Sequence, residues 1–224
     1  MVTYLLFFNV FQNANAQNCF CQKDSFLNNL ISCDTIKLKG NSSVYYQFNC
    51  DASWLTYENS KGRKTVLYFL DSELIDLTYK LGWQVWKDFD ESVLFVARET
   101  SGLPTTLYYT LFNKTTEELI SFRNVVYACP DSLCEFILYF PDSTYNFLSL
   151  FMINNSKEYK IELPKNLIEE SFQQYFGLFM FVENLFEPPS IKDNVYIFKY
   201  TFFDNQSKTE KKGELSIDLK EFLH

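Results

Sequence analysis

The chain has 224 residues, enough to bury a sizeable core, and its length fits one domain or two small ones. Aromatic residues make up 19% of it while Gly and Pro number 6 each, which excludes a collagen-like, linker-rich or disordered polypeptide and favours sheet. A net charge of −8 argues against a nucleic-acid or anionic-membrane surface, because binding phosphates requires clustered Lys and Arg. In chain order, residues 1–16 are uncharged, hold an apolar stretch from Val2 to Phe11, and end in Ala14-Asn15-Ala16, small residues of the kind a signal peptidase accepts. They are expected to be a signal peptide cut before Gln17, although the usual positive start is missing; the alternative is a buried N-terminal strand. The apolar stretch is too short to span a bilayer, and no later one is long and uncharged enough to do so. Residues 17–34 form an N-terminal segment in which Phe26, Leu27, Leu30 and Ile31 have the spacing of a short helix or a clamp onto the core.

Residues 35–224 are expected to form a single all-β domain of repeated antiparallel meanders with few short helices. Strands are predicted at Thr35 to Lys39, Val44 to Phe48, Trp54 to Tyr57 and Lys64 to Leu70, with turns at Gly40-Asn41, Asn49 to Ala52 and Asn59 to Gly62. Asp71 and Ser72 fit the cap of a short helix through Tyr79, and the same stretch reads equally as a strand-loop-strand. Trp83 to Trp86 leads into a polar turn, Lys87 to Asp90. The clearest signal follows: Ser92 to Arg98, apolar on both faces and so expected between two layers, then Thr106 to Phe112 and Glu118 to Phe122 as a three-strand meander. Further strands are expected at Val125 to Ala128, Glu135 to Phe140, Asn146 to Ile153 and Glu158 to Leu163. A short helix is expected within Pro164 to Phe176, then strands at Leu178 to Val182, Val195 to Phe203 and Glu214 to Leu219, the last hairpin carrying a long polar tip from Asp204 to Gly213. Turns at Asn59, Asn113, Asn154 and Asp204 recur about every fifty residues, the spacing of blade-like repeats. A small β-propeller-like arrangement and a β-sandwich both fit.

All six cysteines, Cys19, Cys21, Cys33, Cys50, Cys129 and Cys134, lie beyond the signal peptide, an even number in an export context, which favours disulfides. Cys129 and Cys134 are expected to bond to each other across Pro130 to Leu133; the remaining connectivity is open. Cys19 lacks the small-residue context of an acylated cysteine, which disfavours a lipid anchor. The single histidine is the terminal His224, which removes Ser-His, Cys-His and His-metal arrangements. No glycine-rich phosphate loop or zinc-ribbon spacing is present, so neither cofactor nor metal is expected, and no catalytic residue is assigned. The acidic clusters Asp71, Glu73, Asp76 and Asp88, Asp90, Glu91 fall at turns or caps, where carboxylates serve solvation and helix starts. Trp54, Trp83 and Trp86 are candidates for a partner or sugar-stacking surface, weighed against ordinary core packing. The cluster from Lys208 to Lys212, interrupted by Glu210, reads as a solvated hairpin tip. Asn41, Asn113, Asn154 and Asn205 each begin an Asn-X-Ser/Thr sequon at a turn, which carries meaning only in a eukaryotic secretory host.

The segments Tyr45 to Tyr57 (YYQFNCDASWLTY) and Ser92 to Phe122, with Leu81-Gly82-Trp83 between them, resemble an uncharacterised family of exported bacterial proteins from the group that includes flavobacteria. The resemblance covers the central half of the chain, rests on structural motifs, and implies export without implying an activity. The expected function is that of an exported, periplasmic or extracellular, non-catalytic binding or structural module of the cell envelope, with an unknown protein or glycan partner. The alternatives are an inhibitor or immunity protein that blocks a partner enzyme, and a carboxylate-based glycoside hydrolase.

Overall fold

The computed structural model describes residues 19–71, 73, 83–98, 107–128, 135–142, 145–165, 167, 186–204 and 206–222. The protein is all-β: among the described residues, fifteen strands form four antiparallel sheets, with one α-helix. Each sheet is an up-and-down meander whose neighbours in space are neighbours in sequence. The chain divides between residues 81 and 82 into two compact units.

The first unit holds a sheet of β1 (Ile36–Leu38), β2 (Ser42–Phe48), β3 (Ser53–Glu58) and β4 (Lys64–Leu70), in that order. Helix α1 (Ser25–Leu30) starts because the Asp24 carboxylate accepts from the Phe26 and Leu27 amides, at 2.7 and 3.4 Å. Of the four apolar residues expected to clamp the core, Leu27 and Ile31 are buried, whereas Phe26 and Leu30 stay exposed. A helix this short presents only one stripe inward, so Leu27 and Ile31, four residues apart, are covered while Phe26 and Leu30, rotated round by one residue, are not. Disulfide Cys19–Cys33, with a Cα separation of 6.3 Å, closes a loop within this segment, and Cys21–Cys50, at 4.7 Å, staples the segment to the turn after β2. Asn28 holds the Cys21 main chain in place: its Oδ1 accepts from the Cys21 amide and its Nδ2 donates to the Cys21 carbonyl, both at 2.8 Å.

The second unit stacks three sheets. The first is β5 (Gln84–Asp88), β6 (Ser92–Arg98), β7 (Leu107–Asn113) and β8 (Leu119–Phe122). The next is β9 (Val125–Ala128), β10 (Phe136–Tyr139), β11 (Phe147–Met152) and β12 (Lys157–Glu162), and the last is β13 (Ser190–Lys192), β14 (Val195–Asp204) and β15 (Thr209–Asp218). The middle sheet explains why β10 and β11 read as continuous apolar runs: it is covered on both faces. Ile137 and Phe151, paired across β10 and β11, point to the preceding sheet and share a core with Leu94, Val96, Leu111 and Phe122. Phe136, Leu138, Leu150 and Met152 point the other way and share a core with Tyr196, Phe198 and Ile217. Edge-to-face rings join the layers, Phe122 on Tyr139 at 5.1 Å and Phe136 on Tyr196 at 5.0 Å. As expected, β6 is apolar on both faces and buried on both, Val93 to Ala97 all being covered.

Asn or Asp opens hairpin after hairpin. The side-chain oxygen of Asn49 accepts from the Asp51 and Ala52 amides, that of Asn59 from Lys61 and Arg63, that of Asn113 from Thr115 and Thr116, and that of Asp204 from Gln206 and Ser207. Three of these turns close on a left-handed residue, Gly62 (φ 76°), Glu117 (φ 62°) or Lys208 (φ 55°).

Several strand limits differ from the sequence expectation. The expected polar turn Lys87 to Asp90 begins later, because β5 continues through Asp88 and pairs it with Val93, making the expected three-strand meander four-stranded. The expected tip Asp204 to Gly213 is mostly ladder: β14 and β15 stay paired from Val195↔Asp218 to Asp204↔Thr209. Polar side chains there mark a solvated hairpin end, not the end of backbone pairing. The short strand β13, which has no alternating pattern to reveal it, pairs with the start of β14. The expected helices from Asp71 and from Pro164, apart from a few of their residues, and the expected strand Leu178 to Val182 lie outside the described residues, as do the signal peptide, Cys129, Cys134 and His224.

Candidate functional site

The two faces of the first unit's sheet differ in chemistry. Val44, Tyr46, Phe48, Leu55, Tyr57 and Leu70 are buried on one of them. The other carries Tyr45, Gln47, Trp54, Thr56, Glu58, Lys64, Val66 and Phe69, and there Val66 and Phe69 are each 54% exposed. Exposed aromatic and branched side chains on a sheet are informative where they gather.

Strict alternation along β4 would put Val66 and Phe69 on opposite faces, since they are an odd number of residues apart. The register shifts in β4 instead, Thr56 pairing with Val66 and Leu55 with Tyr68, so that Leu67 is the extra residue of a bulge and is buried. The bulge returns Phe69 to the same face as Val66 and sets it opposite Trp54. The two rings lie 6.3 Å apart with an interplanar angle of 29°.

Polar groups around this pair are held in fixed positions. The Gln47 carbonyl oxygen accepts from Trp54 Nε1 at 3.1 Å and from Thr56 Oγ1 at 2.7 Å, which locks the indole in one orientation. Tyr45 donates its hydroxyl to Glu58 at 2.7 Å, and burial together with that carboxylate pushes the phenol well above its ordinary pKa. Lys64 lies 3.8 Å from the same carboxylate and 5.9 Å from the centre of the Tyr45 ring. The face is therefore a pre-ordered aromatic strip flanked by an amide, a carboxylate and an ammonium group.

The other candidates lie elsewhere. Trp83, in the second unit, is half-buried against Phe95 with centroids 5.8 Å apart, which is core packing. Trp86 is the bulged residue of β5, 43% exposed and edge-on to Tyr109 at 5.9 Å, and Tyr109 itself is buried. Among the described residues, half-buried Trp54 is the tryptophan that stacks on an exposed ring, Phe69. Phe69 was not singled out by sequence reasoning, because only the bulge exposes it.

Among the acidic clusters, Asp88 receives Lys114 Nζ at 2.7 Å, and the same ammonium donates to the Phe89 carbonyl at 2.6 Å. Asp71 accepts from the Glu73 amide at 3.1 Å in a local turn, while Asp76 lies outside the described residues. Asp90 and Glu91 are exposed in the turn between β5 and β6. Asp204, buried at its hairpin, is held well below the usual carboxylate range by hydrogen bonds from Lys211 and Ser207. Of the sequons, Asn41 and Asn154 are exposed, Asn113 is half-buried with its carbonyl oxygen used by the turn, and Asn205 lies outside the described residues. Among the described residues no group of three or more His, Cys, Asp or Glu side chains gathers to hold a metal ion, and no helix is long and apolar enough to cross a membrane. No family model, curated protein or solved structure matches the chain.

Proposed function

We propose that this protein is an exported, non-catalytic binding module of the cell envelope, and that the open face of its first sheet stacks against the apolar faces of saccharide rings. The observation that carries the reading is the Trp54–Phe69 pair, stacked at an interplanar angle of 29°, in which the bulge in β4 sets exposed Phe69 beside half-buried Trp54. Ring stacking supplies apolar contact at little conformational cost, and Gln47, Glu58 and Lys64 stand where sugar hydroxyls would need donors and acceptors. Export is supported by the two disulfides, which persist in oxidising compartments. The uncharged stretch before Gln17 supports it as well.

Affinity electrophoresis through gels containing soluble β-glucan, xylan or mannan tests the proposal. At least one polysaccharide should retard the protein, and Trp54→Ala or Phe69→Ala should weaken that interaction by roughly tenfold. Phe69 is exposed, so its variant keeps the fold and isolates binding from stability. Unchanged mobility in all three gels, or retardation that both variants retain, refutes a saccharide-stacking face.

A further inference from the structure

We propose that β8 is a self-association edge, which pairs antiparallel with β8 of a second copy of this chain. An unpaired sheet edge invites strand addition, and proteins blunt such edges with charges, bulges, proline or brevity. The described edges of this protein follow that rule with one exception. Edge strands β4, β5 and β9 carry bulges. Strands β1 and β13 are three residues long, β12 has Lys or Glu at four of its six positions, and β15 opens with Glu210-Lys211-Lys212 beyond Thr209. Strand β8, Leu119-Ile120-Ser121-Phe122, is short at four residues but, unlike β9 of the same length, carries no bulge; it also has no charge and no proline, and leaves Leu119 and Ile120 43% and 40% exposed.

The direction of its backbone groups follows from the adjoining turn. The Asn113 amide donates to the Glu118 carbonyl at 2.9 Å, so Glu118, Ile120 and Phe122 turn their main-chain groups toward β7. Leu119 and Ser121 then direct theirs outward, away from the sheet. A two-fold pairing that joins these groups sets Leu119 against Ser121 of the second copy and Ile120 against its own equivalent on the axis.

Charge decides for a second copy in antiparallel orientation. Glu117 and Glu118 precede β8 and the exposed Arg123 follows it. Antiparallel pairing brings the acidic end of each strand to the Arg123 of the other, whereas parallel pairing would set like charges together. The edge is thus complementary to itself, as an isologous interface must be.

Sedimentation velocity of the full chain between about 1 and about 300 μM provides the test. We expect a monomer–dimer equilibrium that Ile120→Lys weakens by roughly tenfold or more, since a buried charge on the axis opposes pairing. Arg123→Glu should weaken it as well, and combining that change with Glu117→Lys and Glu118→Lys should restore it. Amide exchange supplies a readout that a folding defect would not mimic: the Leu119 and Ser121 amides should gain protection with rising concentration while those of Ile120 and Phe122 do not change. A monomer at every concentration overturns the proposal and leaves the edge to a different chain. A dimer indifferent to Ile120→Lys, or one without selective protection of Leu119 and Ser121, overturns it too.

Discussion

Replacing Cys21 and Cys50 together with alanine should cost the first unit about 3.6 kcal/mol. This follows from the chain-entropy relation applied to a sequence separation of 29 residues. The same relation gives about 3.0 kcal/mol for Cys19 and Cys33, separated by 14 residues. The two loops share residues 21–33, so removing both bonds costs less than the sum. Either loss is a large fraction of the roughly 5–15 kcal/mol that holds an ordinary domain together. Cys21 is 1% exposed and its main chain is clasped by Asn28, so losing its bond also unseats α1 from the sheet. Urea unfolding of the oxidised variants measures the cost. Hydrogen exchange in the presence of a thiol reductant locates it: residues 36–70 should lose protection, whereas 136–162, in a unit with no disulfide among its described residues, should keep it. A loss below about 1 kcal/mol for the Cys21/Cys50 variant refutes the argument that these bonds anchor the segment. So does a peptide map that links Cys21 to any cysteine other than Cys50.

Phe136→Ala should destabilise by about 3–5 kcal/mol, because the ring is fully covered between the second and third sheets of its unit, while Phe69→Ala should stay within about 0.5 kcal/mol; chemical denaturation of the two variants checks the contrast. Gly213→Ala should cost about 1–3 kcal/mol in the same measurement, since a Cβ at that position would come within 2.6 Å of the Tyr200 ring, which lies across the glycine in the neighbouring strand. Asp204, its folded pKa depressed by Lys211 and Ser207, adds stability that is present above the ordinary carboxylate value of 3.8 and is lost as pH falls below it. Urea midpoints compared with those of Asp204→Asn should therefore converge toward pH 2, and a gap between the two proteins that widens on acidification would reverse the assigned sign.

The sequence by itself determined the class of fold. Alternating apolar residues interrupted by Asn, Asp and Gly specify strands and turns locally, and those signals located β2 to β4, β6, β7 and β9 to β12 within a residue or two. Apolar character on both faces likewise marked β6 as a strand buried on both faces, since nothing but burial on both sides stabilises such a pattern. What only the tertiary structure decided depends on partners distant in the chain. The pairing of Cys19 with Cys33 and Cys21 with Cys50 follows from where α1 docks, which no spacing rule contains. Strand β13 exists because β14 offers it an edge, not because Ser190-Ile191-Lys192 has strand character of its own. The candidate site shows the limit most clearly: Trp54 was visible as a tryptophan in a strand, but nothing in the apolar stretch Lys64 to Leu70 marked its neighbour Phe69 as exposed. A single extra residue in β4 reverses the facing of every residue after it, because side chains in a strand alternate with a period of two, and the ladder with β3 alone decides where that residue sits.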